Sequence, residues 1–339
     1  MPIKPIVMSP GEPGGVGPDI AVNAWHALRG DSANCFCLIS DADFMAQRAA
    51  EAGLAVPLRR VATAGEATRI FKEALPVLHR PLLASPVTGA FKPETSGWVI
   101  SAIDEAAGLC LSGEASAMVT CPIQKEALYA AGFSHQGHTD YLAHLARGHG
   151  HAANDVMMLV GGGLRAIPVT VHIALKDVPA ALTGDKIERQ ARVVHAALQR
   201  QFGIGSPRIA VTGLNPHAGE NGSMGREEID IIIPAIQRLR AEGLSVRGPL
   251  PADTAFFAQE RATYDAILCM YHDQALIPVK TLDFHGGVNV TLGLPFIRTS
   301  PDHGTALALA GTGKAHAESL IAALRLAKDM ACHNTGIVA

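Results

Sequence analysis

This chain predicts an α/β fold built on a largely parallel sheet covered on both faces, and three observations lead there. Short apolar runs recur along it, among them Pro5–Met8, Asn34–Ser40, Ala117–Cys121, Ile209–Leu214 and Ala266–Tyr271. Such runs suit strands buried on both faces, the condition of the central strands of a parallel sheet. Stretches of helical composition alternate with them, as crossover connections require. Several of the runs end abruptly in polar residues, glycine or proline, at the edge where open α/β sheets keep their chemistry.

The first strand, Pro5–Met8, runs into a Gly/Pro-rich loop, Ser9–Asp19, and a helix is expected over Ile20–Arg29 with Pro18 in its first turn. A Gly-rich loop between strand and helix invites a dinucleotide reading, but the fingerprint needs a third glycine where Ile20 stands. A tight structural turn lining a pocket is expected instead. Asn34–Ser40 reads as a strand and Asp41–Gly53 as a helix closed by its glycine. Val56 to Gly97 is Pro-rich and weakly periodic, fit for short strands and turns. Trp98–Ser112 has helical spacing, and the buried strand Ala117–Cys121 leads into Pro122-Ile-Gln-Lys125.

His135-Gln-Gly-His138-Thr139-Asp140 opens a helix over Tyr141–Ala146. Thr139 or Asp140 can cap it, and His138 and Thr139 can equally add donors to an anion site at the free N–H groups, so both readings stand. Val156–Val160 and Ile167–Val171 read as paired strands joined by Gly161-Gly162-Gly163, the second ending in His172. A long helix over Lys186–Phe202, the strand Ile209–Leu214, and a helix over Glu227–Glu242 interrupted at Pro234 follow. After the Pro-rich stretch Val246–Asp253 comes the strand Ala266–Tyr271. An amphipathic helix over Ala315–Met330 ends the pass, with a frayed tail over Asn334–Ala339.

Hydrophobic residues make up 48% of the 339 and charged ones 17%, so the chain can hold two lobes around a large core and leave apolar surface to pack between subunits. A net charge of −3 with no clustered Lys/Arg run gives no electrostatic footprint for a partner of that kind: no nucleic acid and no membrane is expected. The six cysteines have no CxxC spacing and lie mostly in apolar segments, the pattern of buried free thiols in a reducing compartment. The N-terminal apolar run is too short for a signal peptide and no stretch reaches bilayer length, so the expected location is cytoplasmic.

The densest polar chemistry lies between Ala266 and Gly311. There a buried strand ends in His272-Asp273-Gln274, and Lys280, Asn289, Arg298 and Asp302-His303-Gly304-Thr305 follow. Charged residues inside segments too apolar and Gly-rich for a solvated face read as a site for an anionic small molecule beside a metal. His172, His217 and His272 each stand at or just beyond the end of an apolar strand. Strand ends of a parallel sheet converge on one rim, so the three imidazoles can offer a divalent metal three neutral ligands and an open position. Zn²⁺ suits that set most naturally, with Co²⁺, Mg²⁺ or Mn²⁺ as alternatives. Asp253 and Asp273 supply carboxylates for it or beside it.

Six segments resemble those of the 4-hydroxythreonine-4-phosphate dehydrogenase family of pyridoxal phosphate biosynthesis. They are Ser9-Pro-Gly-Glu-Pro-Gly-Gly-Val-Gly-Pro-Asp, Gly137-His-Thr, Gly213-Leu-Asn-Pro-His-Ala-Gly-Glu, Pro249-Leu-Pro-Ala-Asp-Thr, Met270-Tyr-His-Asp-Gln and Gly287-Val-Asn-Val-Thr-Leu-Gly-Leu-Pro-Phe-Ile-Arg-Thr-Ser. They fall in order along nearly the whole chain. The resemblance implies the isocitrate/isopropylmalate dehydrogenase-like fold, two α/β lobes with a cleft between them, residues 1–128 with 290–339 forming the first and 129–289 the second. It places the metal-ligand histidines and the dimer contacts on the second lobe, and implies a homodimer with active sites at the subunit interface. It also implies His172, His217 and His272 as metal ligands, and His138, Thr139, Lys280, Asn289 and Arg298 as substrate-binding residues. Lys280 and Asp253 are the implied catalytic pair. Asp302, His303 and Gly304, on a loop similar to the adenosine-contacting one of the wider superfamily, are the implied contacts of NAD or NADP.

The implied reaction is NAD- and metal-dependent oxidation of a small phosphorylated amino acid at a hydroxyl β to its carboxylate, with decarboxylation of the product. Two rivals stand beside it. One is a sister dehydrogenase acting on 4-phospho-threonate, 4-phospho-erythronate or a cyclic diol acid. The other needs only the three histidines and the anion-binding groups, as a metal-dependent phosphohydrolase or a non-catalytic metal-binding protein.

Overall fold

The computed structural model describes residues 4–135 and 137–334. In its first part come β1 (Ile6–Ser9), α1 (Gly17–Leu28), β2 (Phe36–Ser40), α2 (Ala42–Glu51), β3 (Leu58–Val61), α3 (Ala67–Ile70), β4 (Leu75–His79), α4 (Ser96–Leu111), β5 (Ala117–Thr120), α5 (Lys125–Ala130) and α6 (His138–Gly148). Then follow β6 (Val156–Gly161), β7 (Leu164–Pro168), α7 (Val178–Ala181), α8 (Gly184–Arg200), β8 (Arg208–Thr212), α9 (Ile233–Ala241), β9 (Ser245–Leu250), α10 (Ala258–Arg261), β10 (Ala266–Cys269), α11 (His272–Leu282) and β11 (Val288–Leu292). The chain closes with β12 (Arg298–Pro301) and α12 (Glu318–His333). The tail expected after Asn334 lies outside the described residues.

The chain divides into two compact units. One comprises the described residues of Met1–Ala153 with Leu294–Cys332, the other Asn154–Gly293. The first unit therefore runs to Ala153, past the boundary at 128 expected from sequence. The reason is local: α6 packs on α4, where the Tyr141 hydroxyl donates to Asp104 Oδ1 at 2.5 Å. His138 and Thr139 belong to the first unit as a result.

In the first unit the strand order is β3-β4-β2-β1-β5-β12, with every neighbouring pair parallel. β1, β2, β5 and β12 are buried along their whole length, and apart from Arg298 on β12 they carry only apolar or small residues. The Gly-rich loop after β1 is buried rather than open. A Cβ at Gly14 would overlap the carbonyl of Ala90, and one at Gly17 that of Pro10. Arg48, 1% exposed, ties the loop down by donating to the carbonyls of Pro13 and Gly15 and to Asp19 Oδ2. α1 starts at Gly17, earlier than expected, with Pro18 in its first turn, where no N–H is needed.

In the second unit the order is β11-β6-β7-β10-β8-β9. β11, β6 and β7 are antiparallel neighbours, and β7, β10, β8 and β9 run parallel. β7 begins at Leu164, three residues before the expected strand. Gly161 pairs directly with Leu164 across a two-residue turn, and Gly162 and Gly163 supply its positive φ angles of 56° and 78°. The helix expected over Glu227–Glu242 is two pieces. A π-helical turn over Glu228–Ile232 precedes α9, in which Pro234 occupies the first turn. Proline has no N–H to continue the preceding ladder, so the break falls just before it.

Among the described residues no helix is long and apolar enough to cross a membrane. Cys35, Cys37, Cys121 and Cys269 are buried free thiols, and burial alone pushes Cys35 and Cys121 up to about 12, which keeps them unreactive.

Candidate active site

The three histidines follow three neighbouring parallel strands, since β10 lies between β7 and β8. Beyond β7 the backbone stays alongside β10: Val169 N donates to Cys269 O at 2.7 Å, and Thr170 Oγ1 to Met270 O at 2.8 Å. Two residues further along each chain stand His172 and His272, whose ring centroids are 5.7 Å apart. His172 takes a left-handed backbone (φ 30°), a conformation that a non-glycine residue holds only at a cost. His272 opens α11, and its Nδ1 is 2.7 Å from Asp273 Oδ1. That contact fixes the ring and leaves Nε2 to face a ligand. The pair lines a cavity of ≈ 250 Å³ with Thr170, Ile173, Tyr271 and Asp273.

His217 is held differently. It begins a run of left-handed residues, His217 to Asn221, just beyond β8. Among the described residues no three His, Cys, Asp or Glu side chains gather closely enough to hold a metal ion. The structure thus brings together two of the three expected imidazoles and leaves His217 apart from them within one chain. Two imidazoles, one oriented by a carboxylate, are the donor chemistry of a borderline divalent ion, so this half of a shell fits such a metal.

Gln274 was not anticipated from sequence, yet it fixes the roots of both His217 and His272. Its Oε1 accepts from Met270 N at 2.6 Å and from Thr212 Oγ1 at 2.7 Å, and its Nε2 donates to Gly213 O at 2.8 Å. Asn289, on β11, has a buried Oδ1 with no partner among the described residues. Lys280 lies on α11 with Nζ 5.7 Å from the Phe284 ring centroid. Asp253 is exposed on the turn after β9, where no described contact connects it to the imidazoles.

The first unit carries a separate set of cationic and polar groups. Arg298, on β12 and 3% exposed, donates to Thr120 Oγ1 at the end of β5. Burial lowers its pKa to about 9, so the guanidinium keeps its charge near neutral pH at a desolvation cost that a neighbouring anion would offset. His138 opens α6 and is half-buried, but its Nε2 is fully enclosed and lacks a partner among the described residues. Burial first, then the Arg298 and Lys125 charges, hold its pKa well below 6.5, so the ring is neutral at physiological pH. Lys125 also went unanticipated as a site residue. Its side chain lies over Gly137, where an added Cβ would stand 3.3 Å from Lys125 Cε. Thr139 is half-buried on the same first turn of α6. Asp302, His303 and Gly304 form a turn after β12, with His303 and Gly304 exposed and open space at the Gly304 Cβ position.

Strand-end imidazoles on a largely parallel α/β scaffold, with a buried arginine beside a neutral histidine, stand where such folds place enzyme sites. Residues 32–327 match the family model described as pyridoxal phosphate biosynthetic protein PdxA. The 4-hydroxythreonine-4-phosphate dehydrogenase of Caulobacter vibrioides is 51% identical over 333 residues, 98% of each chain. A solved 4-hydroxythreonine-4-phosphate dehydrogenase from Klebsiella pneumoniae superposes with a TM-score of 0.85 at 37% identity, covering 97% of this chain and 99% of that one. A terephthalate 1,2-cis-dihydrodiol dehydrogenase from Burkholderia xenovorans gives 0.64 at 28% identity, over 99% of this chain and all of the other. The chain belongs to the PdxA family, and it is an oxidoreductase of the dehydrogenase class.

Proposed function

We propose that the chain oxidises 4-phosphooxy-L-threonine at C3 with NAD in pyridoxal phosphate biosynthesis. The β-keto acid formed then loses CO₂ to give 3-amino-2-oxopropyl phosphate. The observation that carries this reading is the paired His172 and His272 at adjacent strand ends, in a chain about half identical to dehydrogenases of that name. The cyclic-diol alternative has a relative in the Burkholderia xenovorans enzyme, at the lower identity of 28%.

His172, His217 and His272 would hold a divalent ion, Zn²⁺ by donor type, and Asp273 would orient His272. In this reading two copies complete the shell between them, His217 coming from the second. Exposed apolar side chains on the same unit, Ile173, Leu175, Ile277, Leu282 and Phe284, supply surface for that homodimer. A bound ion supplies Lewis acidity at the substrate hydroxyl and at the later carbonyl, and NAD supplies the hydride acceptor.

The chain's own residues bind and orient. Arg298 offers a fixed two-pronged donor to phosphate or carboxylate, and Lys125 adds a mobile positive charge. His138, neutral and enclosed, donates or accepts one hydrogen bond without adding charge. Asn289 accepts a donor through its orphaned Oδ1, the role a substrate ammonium or hydroxyl fills. Lys280 and Asp253 are the proton-transfer candidates, and Asp302 to Gly304 the nucleotide contacts.

The test is a substrate panel: NADH formation and free phosphate measured with 4-phosphooxy-L-threonine, 4-phospho-erythronate, 4-phospho-threonate and a cyclic cis-diol acid. The highest kcat/KM on the first supports the reading. A preference for another substrate moves the assignment to a sister dehydrogenase, and phosphate release without NADH replaces it with a hydrolase.

A further inference from the structure

Glu228 has no role in the chemistry above, yet it is built into the segment that carries His217. It is 1% exposed, and none of the described cations forms an ion pair with it. Its charge is met by amides instead. Oε1 accepts from Leu214 N at 2.7 Å and from Asn215 N at 2.8 Å, and Oε2 from Asn215 Nδ2 at 3.0 Å. The same carboxylate is packed against the two glycines that bracket His217. An added Cβ would stand 3.0 Å from Oε1 at Gly213 and 2.5 Å from Oε2 at Gly219, so neither position has room for a side chain while Glu228 is in place. One side chain therefore bonds the first end of a short loop and packs against Gly219 at the other, across residues that hold left-handed backbone, a conformation they do not favour alone. Gln274 anchors the root of the same loop through Gly213 O.

We propose that Glu228 is a positioning residue for the metal-ligating His217: its carboxylate clamps the Gly213–Gly219 loop and so sets where the imidazole is presented. The inference rests on the reading of His217 as a ligand, which the first step of its test checks alone.

The experiment uses the full-length protein stripped of metal. Co²⁺ affinity is measured by competition with a chromophoric chelator, together with the Co²⁺ visible spectrum and the melting temperature of the metal-free protein. His217→Ala should weaken Co²⁺ strongly; unchanged affinity there removes His217 from the site and this proposal with it. Glu228→Gln keeps size and one acceptor oxygen but turns an NH₂ against the NH₂ of Asn215. It should weaken Co²⁺ by roughly 10–100-fold, the scale of lost outer support, and alter the spectrum. In the His217→Ala background the same change should have no further effect, because a residue acting through His217 has nothing left to position. Wild-type affinity in Glu228→Gln, or an equal loss in both backgrounds, overturns the proposal. Should Glu228→Gln fail to fold, Asn215→Ala removes one bond to the carboxylate and carries the same test: a weakened site supports the clamp, and an unchanged one overturns it.

Discussion

His172 and His272 stand with ring centroids 5.7 Å apart because Thr170, two residues before the first, is bonded to the carbonyl of Met270, two residues before the second. The pairing is a property of backbone register along β7 and β10, not of either side chain. Asp273 then orients one of the two rings. Asp273→Asn should accordingly keep the fold and cost roughly 10–100-fold in divalent-metal affinity, measured by chelator competition on the purified protein. Unchanged affinity would show that the contact does not orient a ligand.

Arg298→Lys is expected to be a severe change. An ammonium cannot reproduce a planar fork at a site enclosed to 3% exposure. Losing one charge-assisted hydrogen bond, worth about 1.5–3 kcal/mol, should raise the substrate KM roughly tenfold or more. Steady-state kinetics settle it, and a wild-type KM would take Arg298 out of the site.

His138 gives a stability signature. Burial, Arg298 and Lys125 hold its folded pKa well below 6.5, so on acidification the unfolded chain takes up a proton that the folded chain refuses. Stability from this residue is present above about pH 6.5 and is lost as pH falls below it, by at most about 1.4 kcal/mol per pH unit until the folded pKa is reached. Denaturant melts at pH 7.0 and 5.5 should therefore differ less for His138→Gln than for the wild type. An equal loss in both proteins would contradict a neutral, enclosed His138.

The strands and the site chemistry were legible to different extents. β1, β2, β5, β8 and β10 could be read because burial on both faces leaves them almost no polar residue. β7 was misplaced by three residues, since a run of three glycines does not say which two form the turn. The histidines could be picked out by their position after apolar runs. That only two of them meet within one chain is a matter of three-dimensional register, invisible in spacing. Glu228 and Lys125 carry no motif of their own, Gln274 stands in one that does not give its role, and all three roles emerge only from the amides, strand ends and helix starts that they contact.

Subunit reassortment tests the shared shell. His172→Ala and His217→Ala should each be nearly inactive. Mixed through unfolding and refolding, half the dimers pair unlike chains, and each carries one site with both lesions and one with neither. Roughly a quarter of wild-type activity should then return under two-fold symmetry. If exchange is proven and no activity returns, the ligands do not come from two chains.

The central claim is an oxidative decarboxylation, and its direct measurement is the stoichiometry of one complete turnover of 4-phosphooxy-L-threonine. NADH is followed optically, CO₂ by trapping and inorganic phosphate by colorimetry in the same reaction. The account predicts one NADH and one CO₂ per substrate consumed, with no phosphate released. Substrate consumed with phosphate released and no NADH would contradict it.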